Sequence, residues 1–479
     1  MAQTAQIVTL DTEAKTEPQR ILQAQRKAHH ERPYPSREER HTNLLKLENI
    51  LVENQDAIAA AISRDFGNRA TAESKLLELF TSIDGIRYCR KKLKKWMKPQ
   101  RRDVSIWFAG ASNRVIPQPK GVVGVVAPWN YPLFLVMGPL ASAMAAGNRC
   151  MVKMAANSSN LCALLHELVS AQFDEDTLAF LPGVKGSDFT TLPFDHVIFT
   201  GSAQSGRTVM KAAAENLTPV TLELGGKSPT IIAGDFDIEK AASRILFAKF
   251  MNAGQTCVAP DYLYIPEGKA DAFVEAAQKI MARRYPDIRN GQFTTIIDDS
   301  SFTRLTDTMQ DAAEKGARLI NLSPDQGPDA ATRLLPPHLV LDADDDMLII
   351  QEEIFGPLLP VRTYRDIDEV LAYINRHDRP LGLYLFSDDK ALRQRVILNT
   401  SSGGVSLNDC SLHVAQHDLP FGGIGASGMG QYHGYEGFVE FSKLRPIFSQ
   451  SRFPALPLLY PPYGRIFNTL YKLMIRLKL

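Results

Sequence analysis

Residues 121–128, Gly-Val-Val-Gly-Val-Val-Ala-Pro, form a continuous apolar run bounded by glycine and proline. A strand exposed on one face alternates polar and apolar residues. A run with no polar residue must be covered on both faces, as in the parallel sheets of α/β proteins. The neighbouring sequence supplies such cover. Residues 132–146, rich in Leu, Met and Ala, read as a helix closed by Gly147. Strands are predicted at 150–154, 196–200 and 220–224, with a helix after Gly201 running through Ala214. The alternation restarts after Ser228, with a strand at 230–232, helices over 238–250 and 270–284, and a strand at 262–265 between them. This pattern predicts doubly wound α/β domains with ligands at the carboxyl ends of the strands. A chain of 479 residues is too long for one ordinary core, so two or three domains are expected. Gly225 and Gly226 are the hinge candidate, because adjacent glycines let two backbones approach closely.

Composition removes several function classes. A net charge of +1 gives no pull toward nucleic acid or acidic membranes. The five cysteines (89, 150, 162, 257 and 410) are odd in number and contain no Cys-x-x-Cys pair. Neither a disulfide framework nor a zinc site is suggested, no metal is expected, and a reducing cytoplasm fits. The N-terminus lacks a basic region followed by an apolar run, so it does not read as a signal peptide. No segment reaches the roughly 20 apolar residues a spanning helix needs. Residues 1–35 read as a mobile or draping arm with a helix over 17–29. Leu44, Leu47, Leu51, Ile58 and Ile62 share one helical face. A helix over 70–98 ends in a basic cluster at 90–95, which lacks aromatic interleaving and reads as a solvated face.

The candidates for chemistry cluster between Thr221 and Asp261. Glu223 is out of place inside Val-Thr-Leu-Glu-Leu, and burial would raise its pKa toward use as a general base. A paired structural carboxylate is the other reading. Cys257 follows Gly254, Gln255 and Thr256, a polar approach rather than an apolar face. Nucleophilicity needs thiolate, so backbone amides or a cationic neighbour should lower its pKa. A thiol and a carboxylate on separate turns suit covalent chemistry at a carbonyl carbon. Asn130, just past the 121–127 strand, can donate to a developing oxyanion or simply shape a turn before Tyr-Pro. Gly201-Ser-Ala-Gln-Ser-Gly206-Arg opens a helix after a strand, but it is neither a P-loop nor Gly-x-Gly-x-x-Gly.

Leu-Glu-Leu-Gly-Gly-Lys-Ser-Pro at 222–229 followed by Gly-Gln-Thr-Cys at 254–257 resembles the double signature of the aldehyde dehydrogenase superfamily. Gly-Gln-Thr-Cys-Val-Ala-Pro-Asp looks most like its class 3 branch, which includes coniferyl aldehyde dehydrogenases. Gln-Glu-Glu-Ile-Phe-Gly-Pro at 351–357, Leu-Pro-Phe-Gly-Gly at 419–423 and the glycine-rich stretch 425–434 continue a likeness running from about residue 36 to 448. The resemblance implies two doubly wound, Rossmann-like α/β domains plus a small β oligomerisation arm. The NAD(P)-binding domain would comprise 1–103 and 119–225 and the catalytic domain 226–425. The arm would comprise 104–118 and 440–450, and 451–479 would form a C-terminal tail.

The same resemblance implies roles. Cys257 attacks the aldehyde, Asn130 with the Cys257 N–H holds the oxyanion, and Glu223 activates water. Trp129, Lys153, Gly201, Ser202, Gly206, Glu353 and Phe355 are the cofactor-binding positions, and Tyr131 and Phe421 line the aldehyde tunnel. Lys153-Met-Ala-Ala156 departs from the family's Lys-Pro-Ser-Glu. NAD is expected, but losing that carboxylate removes both a hydroxyl acceptor and a repulsion against a 2′-phosphate, so NADP is admitted. The implied substrate is coniferyl aldehyde, giving ferulate, with a medium- or long-chain aliphatic aldehyde as the alternative. A relative that passes its acyl group to coenzyme A is a further class. A non-catalytic relative would be expected to lack Cys257, Glu223 or Asn130, and all three are present. His433 reads as a packed turn histidine, and the apolar Leu-Ile-Ile before Gln351 and Glu352 reads as a strand. A cytoplasmic homodimer without nucleic acid is expected. The tail from 466 mixes apolar and basic residues, which suits packing on its own subunit or contact with a membrane surface.

Overall fold

In the computed structural model, which describes residues 16–476, the apolar run is the strand Val122–Ala127, buried at every position. The residues read above for a signal peptide and the last three of the tail lie outside the described residues. Val122–Ala127 pairs in parallel with Arg149–Met154 on one side and His196–Thr200 on the other. The full order is Gly428–Met429, Val220–Glu223, His196–Thr200, Val122–Ala127, Arg149–Met154, Leu178–Phe180, with only Gly428–Met429 antiparallel. The chain moves outward from Val122–Ala127 in one direction and then returns to its other side. That switch opens a crevice at the carboxyl ends of the central strands. Asn130 leaves one of those ends and Glu223 closes another.

A second sheet has seven strands in the order Arg318–Asn321, His338–Leu341, Leu358–Tyr364, Tyr262–Pro266, Pro229–Ile232, Gly382–Phe386, Gly404–Leu407. Its edge strand Arg318–Asn321 is antiparallel and the rest are parallel. A third sheet is small and antiparallel, with Ser112–Pro119 between Gln100–Arg102 and Ser442–Ser449.

Two expectations change, and of the two readings of the N-terminal arm its helix, Glu17–Glu31, takes the draping one and is docked. Ile21, Leu22 and Gln25 are buried, and the Gln25 side-chain amide donates to the carbonyls of Cys150 (3.0 Å) and Glu175 (2.9 Å). The helix expected over 70–98 is broken into Thr71–Ser74, a wider π turn Lys75–Phe80, and Thr81–Trp96. The wider turn carries Glu78, which turns inward to bond a neighbouring backbone. The apolar segment before Glu352 is a helical turn, Leu348–Gln351, and not a strand, because four consecutive residues cannot reveal their period. At the basic cluster, Arg90 pairs with Glu48 and Lys92 lies over the Tyr88 ring, so it sits on a helix surface. Among the described residues, no helix is long and apolar enough to cross a membrane, and no His/Cys/Asp/Glu group could hold a metal ion.

Candidate active site

The turn that carries Cys257 is strained and heavily buttressed. After the helix Ile238–Phe250, Asn252 (φ 53°) and Ala253 (φ 51°) adopt left-handed backbone, which costs of order 1–3 kcal/mol for each non-glycine residue. Surrounding bonds hold it. The Asn252 N–H donates to Glu73 (2.5 Å), and its side-chain amide donates to the carbonyls of Asn130 (2.9 Å) and Gln255 (3.1 Å). Gly254 is required, since a Cβ there would overlap the Gly356 carbonyl. Gln255 is fully buried. It donates to the carbonyls of Asn252 and Thr295 (both 3.1 Å) and accepts from the Ile297 N–H (3.0 Å). What the sequence presents as a polar approach to the cysteine is therefore its scaffold.

Asn130 is 2% exposed; its side-chain amide donates to the Gln255 carbonyl (3.1 Å), and its Oδ1 has no partner. Its own carbonyl accepts from the buried Arg69 (3.1 Å). Arg69 pairs with buried Glu78, whose other oxygen accepts from the N–H groups of Leu133 (2.7 Å) and Phe134 (3.3 Å). The Arg69 guanidinium also lies 4.9 Å over the Tyr131 ring. Arg69, Glu78 and Asn252 escaped the sequence reading. The one available signal was a charged pair nine residues apart beside apolar helical faces, which has no specific spacing.

Glu223 is 1% exposed and neither carboxylate oxygen accepts a hydrogen bond of standard geometry, although the Gly423 amide is directed toward it. Burial pushes its pKa well above the usual carboxylate range, and the charge of Glu440 adds to the rise. That agrees with the expectation for a base. The thiol of Cys257 moves the opposite way from expectation. Burial first, then the charges of Glu353 and Glu223, push it up to about 12. The backbone amides of Cys257 and Val258 pull downward and are outweighed.

Cys257 lines an apolar tunnel of about 120 Å³, together with Tyr131, Phe134, Phe247, Val414 and Phe421. A separate, more polar groove of about 490 Å³ is lined by Ser202, Arg207, Gly225, Gly226, Lys227 and Glu353 among others. Ser202 caps the helix Ala203–Ala214, accepting from the Ser205 N–H. A helix N-terminus beside a guanidinium suits a phosphate. The Gly-Gly break is a bed for Glu353: a Cβ on Gly225 would overlap its carboxylate. Burial and then Asp261 raise the Glu353 pKa to about 7. Lys227 pairs with Asp261 and donates to the carbonyls of Ile349 (3.0 Å) and Glu352 (2.7 Å), locking the loop before Glu353. Phe355 meets Trp129 edge to face at 5.4 Å. Lys153, Trp129, Phe355, Gly201 and Gly206 do not line this groove. Gly206 instead lets Leu224 pack against its helix, where a Cβ would lie 2.7 Å from a Leu224 methyl.

A thiol on the wall of an apolar tunnel thus feels the charge of a buried carboxylate, and a separate groove offers a helix N-terminus and an arginine to an anionic group. The chain belongs to the aldehyde dehydrogenase family, whose profile matches residues 2–447. It is an enzyme that oxidises an aldehyde with NAD(P)+. A Pseudomonas aeruginosa protein named "Probable coniferyl aldehyde dehydrogenase" is 48% identical over 460 residues, covering 95% of this chain and 96% of that protein. The substrate-bound structure of Staphylococcus aureus AldH superposes with a TM-score of 0.89 at 34% identity, covering 95% and 99% of the two chains. A Mycobacterium tuberculosis aldehyde dehydrogenase complexed with NAD+ gives 0.80 at 27% identity, covering 90% of each.

Proposed function

We propose that Cys257, Asn130 and Glu223 carry the reaction and that the aldehyde is coniferyl aldehyde, released as ferulate. The observation that carries the reading is the position of Cys257 on the tunnel wall, with the charge of buried Glu223 bearing on its thiol and buried Asn130 bonded to the carbonyl of Gln255, two residues before it. The thiolate of Cys257 attacks the aldehyde carbon, and its own N–H with the Asn130 side-chain amide holds the oxyanion. Bound NAD(P)+ supplies the hydride acceptor and a positive charge. A thioester then remains on Cys257. Glu223 takes a proton from water, the water oxygen bonds to the acyl carbon, and the carbon–sulfur bond breaks to free the carboxylic acid. For the cofactor, Ser202 and Glu353 supply polar groups along the groove, with Arg207 beside them. Lys153, Trp129 and Phe355 serve its two ends, while Gly201 and Gly206 shape the helix start. The missing carboxylate at Ala156 removes what would discriminate against a 2′-phosphate, so NADP is accepted alongside NAD.

The aromatic wall of Tyr131, Phe134 and Phe421 and the name of the Pseudomonas aeruginosa relative favour the phenylpropenal. A second reading has its own observation. Every hydroxyl on the tunnel wall is already committed: Tyr131 with Thr256 (2.8 Å), Thr81 to the Leu77 carbonyl (2.7 Å), Ser411 to the Val258 carbonyl (2.8 Å). With no spare polar handle for a phenol, the wall also suits an aliphatic chain. Turnover on coniferyl aldehyde, hexanal and dodecanal decides. We expect kcat/KM for coniferyl aldehyde to lead by about tenfold or more, the discrimination a shaped pocket provides; dodecanal in the lead sinks the first reading.

The same reading divides the chain into a cofactor domain (1–103 and 119–225), a catalytic domain (226–425), an arm (104–118 and 440–450) and a tail (451–479). It makes the protein a cytoplasmic homodimer joined through the small sheet. In support, Phe108 and Phe448 meet edge to face at 5.7 Å there and stay exposed; light scattering on the purified chain tests it. The helix Arg465–Arg476 buries no residue and carries basic groups beside exposed Ile466, Tyr471 and Ile475. It supports weak contact with a membrane surface, which co-sedimentation with anionic vesicles would detect.

A further inference from the structure

Most buried polar groups in a folded protein are hydrogen-bonded, and each that is not asks for a reason. Tyr432 is such a case. Its side chain is 0% exposed, yet its hydroxyl has no partner. A tyrosine serving only to fill space could be phenylalanine at no loss, since burying an unpaired hydroxyl costs about 1–3 kcal/mol.

The backbone aims this residue at the site. Tyr432 pairs with Phe421 across an antiparallel bridge: the Phe421 N–H donates to the Tyr432 carbonyl (2.7 Å) and the Tyr432 N–H to that of Phe421 (2.8 Å). Phe421 lines the tunnel with Cys257, and the two rings meet edge to face at 5.5 Å. Just upstream, Gly428 and Met429 pair with Glu223 and Leu222, tying the same loop to the strand that ends on the carboxylate. The two ionisable groups whose charge bears on the Tyr432 hydroxyl are Glu223 and Cys257. Burial and those charges hold its proton in place, so it acts as a donor. Neither oxygen of Glu223 accepts a hydrogen bond of standard geometry, the Gly423 amide being the one donor directed toward the carboxylate. The hydroxyl and the carboxylate share no direct hydrogen bond, and a water bonded to both would satisfy the donor and the acceptor together.

We propose that Tyr432 is a positioning residue for deacylation: its hydroxyl and the Glu223 carboxylate hold the attacking water between them, against the acyl group on Cys257. The proposal rests on the base role assigned to Glu223 above. In the step, Glu223 accepts one proton of the water, the water oxygen bonds to the acyl carbon, and the carbon–sulfur bond breaks with its electron pair on sulfur. Tyr432 keeps its proton throughout, and nothing is oxidised or reduced.

The test is Tyr432→Phe in the full-length enzyme with NAD+ and aldehyde. Two quantities are read: the NADH burst of the first turnover, and the decay of the acyl-enzyme by rapid quench and intact-mass spectrometry. We expect the burst to keep its rate and amplitude while the acyl-enzyme decays about tenfold more slowly, the worth of one hydrogen bond. Decay at the wild-type rate, even with a raised melting temperature, makes the hydroxyl mere filling and overturns the proposal; so does a lost burst, which would place Tyr432 before the acyl intermediate. Glu223→Gln run alongside separates the two claims. If it slows decay and Tyr432→Phe does not, only the present inference falls. If neither slows decay, the base assignment falls as well.

Discussion

Cys257 is neutral at physiological pH in the cofactor-free protein, because burial and two nearby carboxylates disfavour the thiolate. The sign of its pH dependence follows. A thiol with its pKa pushed up to about 12 exposes more thiolate with every step toward alkali. Inactivation by iodoacetamide should therefore climb roughly tenfold per pH unit between 7 and 10. Saturating NAD+ should raise the rate at pH 7 by placing a cation near the sulfur. A plateau reached by pH 8 without cofactor would show a thiol already ionised and contradict this account. Residue identity alone could not give this direction. Gln255 and Thr256 read as polar company for the sulfur, whereas Gln255 spends its amide on backbone carbonyls and leaves the sulfur facing carboxylates.

At the scale of elements, the site depends on a helical segment that contributes no group to the chemistry. The turn Lys75–Phe80 turns Glu78 inward to bond the start of the helix Phe134–Ala146, and Arg69 joins that carboxylate to the carbonyl of Asn130. Removing one member of a fully buried ion pair leaves an uncompensated charge, a loss of about 3–5 kcal/mol. Arg69→Met should thus lower the urea midpoint markedly. Adding Glu78→Gln should recover part of the loss. A single variant within about 1 kcal/mol of wild type would mean that the pair carries no strain-bearing role. Helices and strands of the α/β alternation were legible, since the 238–250 and 270–284 helices fall where their periodicity puts them. The π turn and the four-residue helix Leu348–Gln351 were not, because each is shorter than the period needed to identify it.

Across the whole molecule, two histidines that the fold keeps neutral weaken the protein in acid, against the opposite effect of the buried Glu223 and Glu353 carboxyls. Burial, helped by Lys120, holds His196 down at about 3, and burial among His413 and His417 holds His433 at about 3. In the unfolded chain each titrates near 6.5. The unfolded state therefore takes up protons first as pH falls. Stability from these two groups is complete above pH 6.5 and is lost toward pH 3, at about 1.4 kcal/mol per unit for each. Between pH 6.5 and 5 the melting midpoint of His433→Phe should therefore gain on that of the wild type as pH falls. A difference between the two proteins that is independent of pH over that range would contradict the burial of His433 as a neutral group.

By itself, the sequence determined the class of architecture, the two signatures around Glu223 and Cys257, and hence the family, because continuous apolar runs and short fixed motifs are local properties of a chain. Tertiary structure decided what those residues experience. Glu353 lies against Gly225, more than a hundred residues away; Asn130 is held by Arg69 and Asn252; and Gly428 pairs with Glu223 only because a late loop returns to the first sheet. Burial and the summed charge of neighbours are sums over space, and no spacing along the chain encodes them.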